Sequence, residues 1–191
     1  MTAEFNVKIL ESVNSLMLED NRRTQMAFEK VSSLVNEIFS ALANYDIRFE
    51  FASLSLDSPK VEKVVENEYT VLCPLKELPE GNLRLEGKAS TGVLTVRLSR
   101  VYEDSIEKVC WADITLPADS KGGQFFSTKK LLNVLIEAMK HAINDVIPSD
   151  EENNSKDKSV TCKQKNDMAV LEVKVPGHCV QFNLLPCIPL N

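Results

Sequence analysis

The residues best placed to do chemistry are Glu68 and Thr70, in the stretch Asn67-Glu68-Tyr69-Thr70-Val71-Leu72-Cys73-Pro74-Leu75. The alternation reads as a strand, on which residues two apart share a face. Glu68 and Thr70 therefore look one way, Tyr69 and Val71 the other. Mg²⁺ is a hard cation bound through carboxylate oxygens and substrate phosphates, so a two-metal site wants an acid at both places. Here the second place holds a neutral hydroxyl. Glu66 and Glu68 form an alternative pair if the strand starts early, but a register slip is costly in a packed sheet. Asp113, on another candidate strand, is a further acid to weigh.

Other constellations are weaker. Ser120-Lys121-Gly122-Gly123 lacks the spacing of a phosphate-binding loop and reads as a flexible connection. His178 and Cys179 are strand neighbours that point to opposite faces, which speaks against a nucleophilic pair. His141, between Lys140 and Asn144 on a polar helix face, reads as a surface residue. The five cysteines contain no C-x-x-C and no Cys/His set with zinc spacing. Their odd number, with no apolar run after Met1, leads us to expect free thiols in the cytoplasm, the nucleus or both. A net charge of −6 over 191 residues opposes a dedicated nucleic-acid binder, whose footprint is a basic face. The apolar runs fall well short of the ~20 residues of a membrane span, so no membrane partner is expected.

These residues must be positioned by an α+β chain. Residues 5 to about 44 read as one long helix or two joined: Phe28, Val31, Leu34, Val35, Ile38, Phe39 and Leu42 recur at helical spacing, and polar Glu19–Thr24 separates the halves. From about 48 to 116 the period becomes two, in Phe49/Phe51, in Leu54/Leu56, in 68–73, in a hairpin turning near Ala89–Gly92, and in Val109–Leu116. Ser127 is a good N-cap for a second helix with Leu131, Leu132, Leu135, Ile136, Met139, Ile143 and Val146 on one face. Polar 149–158 reads as a loop. Strands follow at 160–162, 168–175 and 179–185, with turns at Lys165-Asn166-Asp167 and Pro176-Gly177-His178.

This order resembles the nucleotidyltransferase core of the male-abnormal (Mab) domain family, relatives of cyclic GMP-AMP synthase. Asn67-Glu68-Tyr69-Thr70-Val71 is similar to that family's first acidic strand, and Trp111 in Val109–Asp113 to its tryptophan-bearing strand. Phe126–Leu131 with Ala142–Val146 resembles the Ser-capped helix, and Cys179–Leu184 the strand that supplies the third acid. The likeness spans about residues 5 to 189 and is diffuse. It implies a spine helix over 1–45, a nucleotidyltransferase-like mixed twisted sheet with its packing helix over 46–147, a polar loop over 148–167 with a short strand near 160–163, and a closing hairpin with an apolar tail over 168–191. The family's helical second lobe would lie beyond Asn191.

The departures are as informative as the likeness. Active members carry acids at the places of Glu68, Thr70 and Gln181, and this chain keeps only the first. The Gly-Ser nucleotide loop is reduced to Ser53-Leu54-Ser55 without a glycine. Glutamine in the third place is typical of the Mab branch. The resemblance thus implies a degenerate nucleotidyltransferase with no catalytic residues, a binding or regulatory module for protein partners in development or transcription. Nucleotide binding is left open at Ser53, Ser55, Glu68 and Gln181, with Glu68 the sole metal-ligand candidate and no cofactor expected. The alternatives are an active enzyme making cyclic dinucleotides, with Mg²⁺ or Mn²⁺ and a nucleoside triphosphate, and a nucleic-acid or protein-partner sensor without catalysis.

Overall fold

The structure, a computed structural model, describes residues 2–76, 83–88, 93–98, 111–116, 124–147 and 158–187, with 2–16, 83–88, 93–98 and Gln124 described as backbone only. Helix α1 runs unbroken over Thr2–Leu42. The polar stretch at 19–24 does not divide it, because it holds no Gly or Pro and supplies local partners. Arg23 Nη2 donates to Glu19 Oε1 at 2.8 Å, one turn back, and Thr24 Oγ1 donates to the Asp20 carbonyl at 2.9 Å. The apolar stripe Phe28, Val31, Val35, Ile38, Phe39 and Leu42 is buried.

The segment after α1 differs from the expected strand. Ile47–Phe49 is a 3₁₀ turn capped by Asp46, whose side chain accepts from the Arg48 N–H, and 51–58 is irregular. Phe49, Phe51 and Leu54 are nevertheless buried. Alternation here reflects three anchors on an irregular segment rather than a pleated ladder. Asn36 of α1 holds it in place, accepting from the Leu54 N–H at 2.6 Å.

Five strands form the first sheet: β1 (Val61–Val65), β2 (Glu68–Pro74), β7 (Ser159–Lys165), β8 (Met168–Val175) and β9 (His178–Cys187), in the order β1-β2-β9-β8-β7. Only the β2–β9 pairing is parallel, so the sheet is mixed and the chain is α+β. Asn67, Asn166 and Gly177 take positive φ at the connections, as tight antiparallel turns demand. Strand β1 was not anticipated. Glu66 lies in the turn before β2 rather than on it, so the slipped Glu66/Glu68 pair does not form. Strand β7 also begins earlier and runs longer than the short strand expected near 160–163.

A second sheet has β3 (Leu83–Lys88), β4 (Val93–Leu98), β5 (Thr115–Leu116) and β6 (Gln124–Phe126), ordered β3-β4-β6-β5 and antiparallel throughout. The β3–β4 register is the expected hairpin, whose turn residues lie outside the described ones. The anticipated strand over Val109–Leu116 is corrected. Trp111 precedes a 3₁₀ turn, Ala112–Ile114, and only Thr115–Leu116 pairs; Val109 and Cys110 lie outside the described residues. The Ser120–Gly123 connection is outside them too. Helix α2 spans Thr128–Val146, and Ser127 Oγ accepts from the Lys130 N–H as its N-cap. Both helices cover one face of the first sheet, where Tyr69, Val71, Leu171, Val173, Phe182 and Leu184 join the core.

Candidate functional site

The parallel β2–β9 register brings the expected residues together. Glu68 lies beside Gln181, and Thr70 beside Asn183. All four sit on the sheet face away from the helices, because Tyr69, Val71 and Phe182 between them fill the core. A hydrogen-bonded chain joins three of them. Gln181 Nε2 donates to Asn183 Oδ1 at 3.0 Å, and Asn183 Nδ2 donates to Glu68 Oε1 at 2.8 Å. Asn183 is only 4% exposed, so its amide is a constrained partner rather than a solvated one.

Asn183 was missed in the sequence, although it lies two residues beyond Gln181 and so shares its face. Neighbouring strands add two acids to that face. Glu62 on β1 pairs with Thr70, and Glu172 on β8 pairs with Gln181. Glu172 Oε1 accepts from Lys174 Nζ at 3.0 Å, and this hydrogen bond holds its carboxyl below the usual range. One oxygen of Glu68 is thus committed to an amide, and Glu172 to an ammonium. Among the described residues no group of three or more His, Cys, Asp or Glu is arranged to hold a metal ion. The amides offer donors and acceptors that suit a polar ligand edge. Glu68 by itself gives about one negative charge against two divalent ions.

The other candidates fall elsewhere. Ser53 and Ser55 lie on the irregular segment pinned by Asn36; Ser55 Oγ accepts from the Asp57 N–H at 3.3 Å. No hydrogen bond among the described residues joins either serine to Glu68 or Gln181. His178 Nε2 lies 3.1 Å from Lys30 Nζ, while Cys179 is exposed. His141 is exposed and stacks on Tyr45, whose hydroxyl donates to Asp145 Oδ2 at 2.5 Å.

Asp113 has a structural partner. Arg48, 8% exposed, donates from Nη1 to Asp113 Oδ1 at 2.7 Å and from Nη2 to Asp113 Oδ2 at 2.8 Å. The same guanidinium bonds Asp46 at 2.6 Å through Nη2 and lies 5.3 Å from the Trp111 ring centroid. A bidentate Arg–carboxylate pair over an aromatic ring is a strong, oriented contact. It ties the irregular segment after α1 to the turn leading into β5. Hydrogen bonding to Arg48 holds the Asp113 carboxyl below its ordinary value.

Comparison with protein-family models finds no match, and comparison with curated proteins finds none either. No helix among the described residues is long and apolar enough to cross a membrane.

Proposed function

We propose that the chain is a non-catalytic nucleotidyltransferase-like binding or regulatory module that acts through protein partners and has at most weak affinity for nucleotides. The observation that carries this reading is the Gln181–Asn183–Glu68 chain. Where a two-metal enzyme needs converging carboxylates, the β2 and β9 positions beside Glu68 hold two amides and the Thr70 hydroxyl, and Glu172 on the next strand is paired with Lys174. The acid's Oε1 is already taken by Asn183. Two metal ions stabilise both the attacking and the leaving oxygen, so without their ligands most of the catalytic contribution is lost. A binding surface needs no such charge. A role in development or transcription rests on the family resemblance alone.

The competing reading, an active enzyme that makes cyclic dinucleotides, draws on Glu62 and Glu172, the two acids that share the face with Glu68. Incubation with labelled ATP and GTP plus Mg²⁺ or Mn²⁺ separates the two. We expect no product. Nucleotide product that disappears in Glu68→Ala would refute the proposal.

A further inference from the structure

A separate cavity of about 680 Å³ lies on the helical side of the first sheet, the face opposite the amide cluster. It sits between α1, the end of α2, the start of β7 and the β8–β9 turn. That volume is in the range of small-molecule sites, about 300–1,000 Å³. Its apolar lining comes from Leu34, Val146, Ile147, Val175 and Pro176. Its polar lining includes two lysines, Lys30 and Lys158, with Ser33 and one acid, Glu37.

The charges are arranged unevenly. Lys30 makes its polar contact with the His178 ring rather than with a carboxylate. Lys158 has no ion-pair partner among the described residues. Glu37 lies seven residues beyond Lys30, two turns or ~10 Å along α1, and among the described residues accepts only a 3.5 Å hydrogen bond from Ser33. The Lys30 end is therefore cationic, and the acid stands at the far end. An ammonium beside an apolar wall, with no carboxylate partner among the described residues, is the usual complement of an anion with a hydrocarbon body.

We propose that this cavity binds a small amphipathic anion, with its carboxylate or similar head at Lys30 and Lys158 and its apolar body against Leu34, Val146 and Val175. The site is independent of the amide cluster and of the reading placed on it.

Titration of the full chain with decanoate, followed by calorimetry and by amide NMR shifts, tests this. Decyltrimethylammonium, of equal chain length and opposite charge, serves as the comparison. The expected result is saturable one-to-one decanoate binding with shifts at Ser33, Val175 and Ile147, and at least about tenfold weaker binding of the cation. Lys30→Gln weakens decanoate about tenfold, the scale of one lost charge-assisted hydrogen bond. Leu34→Trp fills the cavity without adding charge and abolishes binding, whereas Lys163→Gln on β7 leaves it unchanged. Thermal melts establish that each variant is folded. Absence of saturation below roughly 1 mM, equal affinity for the cation, or wild-type affinity in folded Lys30→Gln overturns the proposal.

Discussion

Replacing Asn183 by aspartate tests whether the cluster is built around a single acid. Asn183 Nδ2 lies 2.8 Å from Glu68 Oε1, at a position 4% exposed. Asn183→Asp removes that donor and sets a second carboxyl against the first. If both ionise, their charges stand ~3–4 Å apart and repel by roughly 4–5.5 kcal/mol at an effective dielectric of ~20. The alternative is to keep one proton on the pair, which at about pH 7 costs ~4 kcal/mol for an acid of ordinary pKa near ~3.9. A protonated carboxyl still donates to Glu68, so this route caps the loss. The expected destabilisation is ~3–4 kcal/mol. The new acid's folded pKa is raised above its unfolded value, so the deficit grows as pH rises above about 4 and saturates above the folded pKa. It should shrink to ~1.5 kcal/mol near pH 5. Urea unfolding of wild type and variant at both pH values reads this directly. A divalent cation relieves the same repulsion, so Mn²⁺ should raise the variant's unfolding midpoint and leave the wild type's unchanged. A deficit under ~1 kcal/mol that is equal at both pH values would refute the cluster's geometry.

Other consequences follow from the same contacts. Arg48→Met leaves Asp46, 12% exposed, without its cation and should cost about 3 kcal/mol, below the upper end for buried pairs because Asp113 is 47% exposed and can regain water; chemical denaturation checks it. Asp113→Asn should cost under ~1 kcal/mol at neutral pH. Because Arg48 depresses the folded Asp113 pKa, that contribution is present above the unfolded value near ~4 and lost as pH falls through the folded one, so wild type and variant should converge in acid melts. Gly177→Ala meets no neighbour within 4 Å but keeps a φ of +77°, so only backbone strain is added, about 1 kcal/mol in a thermal melt. Burial pushes the Cys162 thiol up to about 12 and raises Cys73 as well, whereas Cys179 is exposed. Iodoacetamide followed by mass spectrometry should therefore modify Cys179 well before Cys73 or Cys162.

The helices and the closing strands were legible because their signals are local. The stripe from Phe28 to Leu42, the Ser127 cap and the turns at Asn166 and Gly177 need only neighbouring residues to state their geometry. Strand β1 was not legible: Val-Glu-Lys-Val-Val has no clean alternation, sits at a sheet edge and carries an irregularity between Lys63 and Val65. Strand β6, three residues long, is too short for any period. Phe49, Phe51 and Leu54 misled in the opposite direction, because burial of single anchors on an irregular segment imitates the spacing of a strand.

By itself the sequence determined which side chains were available: one acid at Glu68, a hydroxyl at Thr70 and an amide at Gln181. Alternation along β2 also determined that Glu68 and Thr70 share a face. Only the tertiary structure decided that Asn183, 115 positions away, takes up a Glu68 oxygen, that Glu62 and Glu172 join the face, and that Arg48 claims Asp113. The reason is that side-chain direction is a local property of the backbone. Which strand lies beside which, and in what register, is set by how the whole chain buries its apolar faces.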